Sequence, residues 1–252
     1  AAQLQTLAAV LEDRAPDLDL LVVDELQDFM PDWIGLLTRR LRAAGRLVLL
    51  DDPGQSLYPD REEIEVEGAV VITSDDNHRS PRRIVETINL LGLGDRPVQA
   101  CSPYLGQAPD VLGYDAQAPD RRADSLVSRT AQAVQRCLDQ GFALHDIAVL
   151  SWRGREQAQL LKLERLGAWP LARYTGRYDA AGEPVWTPGA LRVETIRRFK
   201  GQSAPAVVLS EVDVDTLTPL ARRLLFVGMT RAQMHLALVM SETGQEALRR
   251  LL

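Results

Sequence analysis

Apolar residues in this chain occur in short runs that alternate with amphipathic segments. Short continuous runs predict buried strands, and apolar residues that recur every three or four positions predict helices. The predicted strands are residues 18–24, 46–52, 69–73, 146–152, 190–196, 206–212 and 235–241, and the predicted helices are residues 31–45, 77–92, 122–141 and 154–167. Strands that alternate with helices are typical of a parallel sheet covered on both faces, so we expect an α/β protein.

The clearest helix boundaries lie in the segment NHRSPRRIVETINLLG, residues 77–92. Ser80 is suited to cap this helix, and Pro81 fits its first position. Gly92 is placed to end it, because glycine readily adopts the left-handed conformation found after helix ends.

Residues 95–120 contain many Pro, Gly and Asp residues, which favour turns. We expect irregular structure there, leading into a second unit that repeats the alternation of strands and helices. The domain boundary is expected near residues 76–80, so we assign residues 1–78 to the first domain and residues 79–252 to the second.

The composition is that of a globular protein. The chain has 252 residues, 46% of them hydrophobic, which suffices for the core of one large domain or two ordinary ones. No apolar run approaches the ~20 residues that span a bilayer, so we expect a cytoplasmic protein without a membrane partner.

Cys101 and Cys137 lack the spacing of metal ligands or of a redox motif and are expected to be reduced thiols. The net charge of −6 disfavours bulk attraction to nucleic acid, so any DNA contact should be a local groove.

Three acids follow the first predicted strand in LLVVDELQDF, residues 20–29. A parallel strand delivers the residues after it to the carboxyl edge of the sheet, where open α/β sheets bind ligands. There Asp24 could hold Mg²⁺, and Glu25 would face the water that attacks a terminal phosphate. When this segment is considered alone, an alternative to a metal and catalytic role is that Asp24 and Asp28 only cap the next helix.

A second predicted strand also ends in acids, in LLDDPGQSLY, residues 49–58. Gln55 offers a neutral side chain that can bridge a phosphate oxygen and a water, although this segment alone would be a turn. Together the two segments resemble the Walker B strand and the GDPxQSIY segment of superfamily 1 DNA helicases of the UvrD/Rep type. Further segments match that family's motifs in the same order: NHRSP at 77–81, VETIRRFKG at 193–201 and LLFVGMTRAQMHL at 224–236.

The resemblance implies two RecA-like parallel-sheet units, the first of them incomplete, in an ATP-dependent helicase that moves on single-stranded DNA. It assigns Asp24 to Mg²⁺ and Glu25 to the catalytic base, and it makes Gln55 the sensor of the terminal phosphate of ATP. It also implies that Arg79 and Arg231 contact that phosphate. Thr195 and Arg197 are assigned to the DNA backbone, and Tyr58 is assigned to stacking on a DNA base.

The chain also departs from the family pattern. His78 replaces the tyrosine whose ring stacks on adenine, and Ser203 stands where a glutamate would touch the nucleotide sugar. Arg197 replaces a histidine but keeps a cation for a phosphate contact. The interval between residues 151 and 191 is too short for the large accessory subdomain of UvrD-type enzymes.

The sequence contains no GxxxxGK[ST] phosphate-binding loop. In the family this loop precedes the Walker B strand, so we expect the chain to be the C-terminal portion of a longer protein. We expect it to be inactive by itself, with the missing N-terminal part as its partner. Two alternatives stay open: a degenerate helicase-like module that regulates or binds without hydrolysis, and a metal-dependent hydrolase that uses Asp24, Asp28, Asp51 and Asp52 without a nucleotide.

Overall fold

The structure, a computed structural model, describes residues 8–9, 15–57, 64, 66–118, 122 and 124–251. The chain divides into two compact units, residues 1–73 and residues 74–252. None of the helices in the described part of the chain is long and apolar enough to cross a membrane.

The described part of the first unit is built on a parallel strand pair. β1 (Leu18–Val23) pairs with β2 (Leu41–Leu49), and Val23 lies opposite Leu49 at the end of both strands. The residues that follow the two strands therefore emerge at the same edge. The small apolar core of this unit contains the buried residues Val23, Leu26 and Ile34.

Helix α1 (Pro31–Thr38) ends well before residue 45, where the sequence pattern placed its end, so that prediction was wrong. The reason lies in Arg40, whose carbonyl accepts the backbone N–H groups of Asp17 and Leu18, each at 3.0 Å. The Arg40 guanidinium also forms an ion pair with the Asp17 carboxylate. These contacts draw the chain into strand β2, and pairing with β1 overrides the helical propensity of the next residues.

The prediction that the first strand is buried was wrong for one of its faces. Leu20 is 54% exposed and Val22 is 51% exposed, and Val48 on the neighbouring strand is 39% exposed. Residues 69–73 were predicted as a strand and form none; Ile72 within them is 89% exposed. An apolar run thus predicts burial only where other elements pack against it.

The second unit contains most of the sheet structure. Its described strands are β3 (Asp76–Asn77), β4 (Gln99–Ala100), β5 (Asp110–Tyr114), β6 (Ile147–Ser151), β7 (Arg165–Leu166), β8 (Trp169–Tyr178), β9 (Pro184–Trp186), β10 (Leu191–Thr195), β11 (Ala204–Val212) and β12 (Ala232–Ser241). Eight of these described strands form one sheet in the order β5, β12, β11, β6, β10, β8, β7, with β9 also paired to β8. Pairing is parallel from β5 to β8, and β7 and β9 run antiparallel to β8. β3 and β4 form a separate parallel pair.

The helices described in this unit are α2 (Arg82–Leu90), α3 (Leu126–Asp139), α4 (Pro219–Met229) and α5 (Glu242–Arg249). Ser125, Thr218 and Ser241 cap the last three of these helices, each accepting a backbone N–H with its hydroxyl oxygen. The predicted cap of α2 was wrong, because its N-cap is Pro81 and not Ser80.

The prediction of an α/β fold is confirmed. Val149 and Val208 on the central strands are fully buried, as is Val134 on α3, and they belong to one apolar cluster. Central strands of this sheet are buried at nearly every position, as in parallel sheets covered on both faces.

Two further predictions in this unit were wrong. Residues 154–167, predicted as a helix, form a short 3₁₀ turn at Leu160–Lys162 followed by β7. Leu160 and Leu166 are each 1% exposed, so these apolar residues contact the core from a turn and a strand rather than from one helical face. Residues 95–120, expected to be irregular, supply β4 and the edge strand β5.

Candidate functional site

The ends of β1 and β2 are held side by side by backbone hydrogen bonds. The Leu50 N–H donates to the Val23 carbonyl at 2.8 Å, and the Leu26 N–H donates to the Leu50 carbonyl at 2.9 Å. Asp24 and Glu25 lie between these two contacts in sequence. The tight connection places both acids at the carboxyl edge of the strand pair, as the sequence pattern predicted.

A chain of side-chain hydrogen bonds joins the two strand ends. The Gln27 amide donates to Glu25 Oε2 at 2.5 Å, and Gln27 Oε1 accepts the backbone N–H of Asp52 at 3.0 Å. The Gln55 amide in turn donates to Asp52 Oδ2 at 2.5 Å. Glu25 and Gln55 therefore belong to one polar cluster, defined here as the strand-tip cluster, together with Asp24, Gln27 and Asp52. Sequence analysis missed Gln27 and gave Asp52 no bridging role.

Glu25 has an unusual backbone conformation. Its φ of 53° and ψ of 46° lie in the left-handed region, and its N–H donates to Asp24 Oδ1 at 2.8 Å. Such a conformation costs on the order of 1 kcal/mol or more for a residue with a side chain. Met30 occupies the N-cap position of α1, so neither Asp24 nor Asp28 is the cap of that helix. The capping alternative for these acids is therefore wrong for α1.

In the second unit, Asn77 shapes the loop that carries His78 and Arg79. Its side-chain oxygen accepts the backbone N–H groups of Arg79 at 3.0 Å and Ser80 at 2.8 Å. This turn leaves the side chains of His78 and Arg79 exposed. Both are thus available to a ligand at this face of the second unit.

The turn after β10 contains the predicted DNA-backbone contacts. Thr195 is buried, and its hydroxyl oxygen accepts the backbone N–H of Arg198 at 3.2 Å. Arg197 is exposed. Ser203, predicted to touch the nucleotide sugar, accepts a hydrogen bond from the Gln233 amide at 2.8 Å. The turn therefore presents the Arg197 cation to solvent and uses Thr195 to stabilise its own backbone.

Arg231 is 1% exposed, although it was predicted to reach a phosphate. Its Nε donates to the Val227 carbonyl at 3.0 Å, and one terminal nitrogen donates to the Gln202 carbonyl at 3.3 Å. These bonds join the end of α4 to the turn that precedes β11. In this arrangement the guanidinium stabilises the fold, and a contact with a phosphate would require it to leave these carbonyls.

A groove of about 520 Å³ opens beside the turn after β10. One wall combines an aromatic ring with an arginine, since the Arg192 Cζ lies 4.6 Å from the Trp186 ring centre. A second lining arginine, Arg198, has its Cζ 3.4 Å from the ring centre of Tyr174. Contacts of this kind are cation–π interactions. The groove is lined by His145, Ala172, Pro184, Trp186, Ala190, Arg192, Arg198 and Gln202.

Next to this groove, Tyr174 and Tyr178 pack with their ring centres 5.6 Å apart. Their mutual hydrogen bond raises the pKa of Tyr174, and the same bond together with Arg198 lowers the pKa of Tyr178. Tyr178 is 60% exposed. We use the name arginine–aromatic groove for the lining residues Trp186, Arg192 and Arg198 together with Tyr174 and Tyr178, whose rings contact Arg198 or each other. Sequence analysis missed it, because its members are dispersed between residues 174 and 198 and meet only through the β8–β9 pairing and the turn after β10.

Glu211 is a fully buried carboxyl group at the end of β11. It accepts hydrogen bonds from the Ser151 hydroxyl and from the Gln159 backbone N–H, the latter at 2.6 Å. Burial raises the pKa of Glu211, and the hydrogen bond from Ser151 opposes part of that increase. The carboxyl group holds the 154–167 segment against the sheet, which explains in part why that segment does not form a helix.

Replacing Glu211 with glutamine is expected to change how stability depends on pH. Because the pKa is raised on folding, the folded protein binds more protons than the unfolded chain above pH 4.5, so stability falls as the pH rises towards the folded pKa. Glu211→Gln removes this titration. The free energy of unfolding of the variant minus that of the wild type should therefore increase as the pH rises. Urea unfolding across this pH range measures the difference. Glu246→Gln, at an exposed position, serves as the control, and parallel profiles for the wild type and Glu211→Gln would contradict the expectation.

Tyr58, predicted to stack on a base, lies outside the described residues. The roles proposed for the other site residues stay predictions. The structure places Asp24, Glu25 and Gln55 together in the first unit. It places Arg79 on an exposed loop and Arg231 in a buried turn of the second unit.

One comparison with known proteins agrees with the two motifs at residues 193–201 and 224–236. The model of the family described as UvrD-like helicase C-terminal domain matches residues 190–239. Among solved structures, the chain is similar to the C-terminal domain of a possible DNA helicase from Lactobacillus plantarum WCFS1, with 16% identity, a TM-score of 0.43, and coverage of 69% of this chain and 96% of that chain. A search of curated proteins finds no match. The family match confirms the resemblance to a UvrD-like helicase C-terminal domain over residues 190–239.

Proposed function

We propose that this chain forms part of an ATP-dependent DNA helicase or translocase that moves on single-stranded DNA. In this proposal the first unit contributes the metal-binding acid and the catalytic base, and the second unit contributes the C-terminal motor domain. The observation that carries the proposal is the strand-tip cluster, in which an exposed acid, a second acid and a glutamine meet at the ends of adjacent parallel strands. The helicase match over residues 190–239 supports the DNA-related part of the proposal.

The strand-tip cluster fits the chemistry of phosphoryl transfer to water. Asp24 is an exposed carboxylate, the type of ligand that Mg²⁺ prefers, and the bound metal would neutralise charge on the phosphates of ATP. Glu25 would accept a proton from the attacking water, since its carboxylate is oriented by the Gln27 amide. Gln55 would contact the terminal phosphate and that water after exchanging its hydrogen bond with Asp52.

The second unit offers Arg79 as the cation for the terminal phosphate, because its side chain is exposed. His78 and Ser203 are proposed to contact the rest of the nucleotide. Arg231 retains a proposed phosphate role only if the turn around it rearranges, since its guanidinium is 1% exposed and bonded to backbone carbonyls.

Hydrolysis also requires donors for the β- and γ-phosphates of ATP, which a GxxxxGK[ST] loop supplies in other nucleotide hydrolases. These 252 residues contain no such loop, so another segment or polypeptide would have to provide it. The same observation favours a second candidate function, a helicase-like module that binds DNA or a partner without hydrolysing ATP.

Steady-state ATP hydrolysis with single-stranded DNA tests the proposal. The 252-residue chain alone should show no turnover, and a polypeptide that joins it to a phosphate-binding loop should hydrolyse ATP faster when DNA is added. Turnover by the chain alone that is lost in Glu25→Gln would contradict the need for an additional loop. DNA binding without any ATPase in the longer polypeptide would favour the non-catalytic module.

The arginine–aromatic groove is the proposed contact for the DNA strand. Arginines attract the phosphates, and aromatic rings stack on bases at about 1–3 kcal/mol per base. The net charge of −6 makes such a local surface necessary, since the protein as a whole repels nucleic acid. Arg197, next to Arg198 in the turn after β10, is a further exposed cation.

Replacing Tyr178 with alanine should weaken binding of a fluorescent oligothymidine about tenfold, measured by anisotropy at fixed salt. Tyr178 is 60% exposed, so the fold should survive the change. Tyr104→Ala provides a matched control, because Tyr104 is a 47% exposed tyrosine that is not a member of the groove. Equal affinities for the two variants would count against the groove as the DNA contact.

A further inference from the structure

Three side chains with different metal-binding groups converge beside the short strand pair of β3 and β4. The carboxylate of Asp76, the imidazole of His78 and the thiol of Cys101 each bring one ligand atom, and these atoms all lie within 4.8 Å of one another. Asp76 and His78 are exposed, and Cys101 is partly buried. The cluster is thus open to an ion from solvent.

Backbone hydrogen bonds hold the segments that carry these side chains. Asp76 pairs with Gln99 in the strand pair, and the Cys101 N–H donates to the Asn77 carbonyl at 2.9 Å. The Asn77 side chain then fixes the turn that follows His78 by accepting two backbone N–H groups. The positions of the three ligands are therefore set by the fold rather than by a flexible terminus.

We propose that Asp76, His78 and Cys101 form a binding site for Zn²⁺. A thiolate, an imidazole and a carboxylate are the ligand types that zinc takes, whereas Mg²⁺ and Ca²⁺ prefer oxygen ligands alone. Zinc ligand bonds of ~2.0–2.3 Å in a tetrahedral site place the ligand atoms about 3.5 Å apart. The exposed side chains of Asp76 and His78 have room to close by the remaining distance of roughly 1 Å, and three protein ligands leave a fourth position for water.

Local charge also suits a divalent cation. Asp75 stands next to Asp76, and a Cys101 thiolate adds a further negative charge when the metal binds. Arg79 is the nearby cation on the same loop, and its exposed side chain extends into solvent. Binding would fix His78 and the turn that precedes Arg79, and this inference does not depend on whether the protein hydrolyses ATP.

Titration of the metal-free chain with Co²⁺, a spectroscopic substitute for Zn²⁺, tests the site. One equivalent of Co²⁺ should produce the near-ultraviolet charge-transfer band of a cobalt–thiolate bond, and added Zn²⁺ should remove the band by displacement. Isothermal titration calorimetry should give one Zn²⁺ per chain. Cys101→Ser should abolish the band, and His78→Ala should weaken Zn²⁺ binding by at least about tenfold.

The chain offers matched controls for both variants. Cys137→Ser removes the other thiol, which is fully buried in α3, and His145→Ala removes an exposed histidine elsewhere in the second unit. Both controls should keep the band and the Zn²⁺ affinity of the wild type. The absence of a band in the wild type, a band that persists in Cys101→Ser, or equal losses in His78→Ala and His145→Ala would overturn the proposed site.

Discussion

Replacing Glu25 with glutamine is expected to lower the rate constant of ATP hydrolysis about a thousandfold in a polypeptide that also contains a phosphate-binding loop. Glutamine has nearly the shape of glutamate, and its side-chain oxygen can still accept the hydrogen bond from the Gln27 amide. It cannot accept the proton of the attacking water. Rapid-quench measurement of a single turnover reports the chemical step, and binding of a fluorescent ATP analogue reports affinity, which should change by less than about threefold.

Glu67→Gln is the control for this prediction, because Glu67 is an exposed glutamate in the same unit. It should keep the turnover of the unmodified protein. Near-normal hydrolysis by Glu25→Gln would show that Glu25 serves only to shape the turn after β1. A parallel loss of ATP binding and turnover would instead indicate that the strand-tip cluster has been disrupted.

Replacing Arg231 with alanine is expected to lower the free energy of unfolding by about 3–4 kcal/mol. The change removes the guanidinium hydrogen bonds to the Val227 and Gln202 carbonyls, and a hydrogen bond that involves a charged group contributes about 1.5–3 kcal/mol. The Val227 carbonyl keeps the Thr230 hydroxyl as a donor. Arg231→Lys should lose about half as much, because a lysine keeps the charge and lacks the planar group that reaches two carbonyls. Urea unfolding followed by circular dichroism measures both variants.

Arg249→Ala removes an exposed arginine from α5 and should alter the free energy of unfolding by less than about 0.5 kcal/mol. If Arg231→Ala proves as mild as this control, the guanidinium does not stabilise the fold, and its predicted phosphate contact becomes the better explanation for the residue. A large loss in stability would instead mean that ATPase measurements on Arg231→Ala report folding as well as chemistry.

The strand-tip cluster could be predicted in part. The acids after β1 and β2 were visible because a parallel strand delivers the next residues to a known edge of the sheet. Gln27 was not found, since nothing in its local sequence shows that one amide bridges Glu25 and the backbone of Asp52. Such a bridge depends on the distance between two strand ends, and the sequence pattern contains no information on it.

Arg231 shows a different limit. The segment LLFVGMTRAQMHL indicates a family motif, but the motif does not reveal whether an arginine points towards solvent or into the protein. The turn between α4 and β12 decides this, because it brings the carbonyls of Val227 and Gln202 within hydrogen-bond distance of the guanidinium. The cluster of Asp76, His78 and Cys101 has the same origin, since ligands 25 residues apart meet only through the pairing of β3 with β4.

The sequence by itself determined the α/β class, the strands β6, β10, β11 and β12 of the second unit, the motifs and the placement of Asp24 and Glu25 after a strand. These features depend on local periodicity and on residue types at short spacing, which a linear pattern records. Only the tertiary structure decided where α1 ends, that residues 154–167 turn instead of forming a helix, and which arginines are buried. Each of these outcomes depends on contacts between residues distant in sequence, such as Arg40 with Asp17 and Glu211 with Gln159, and those contacts outweigh local propensity.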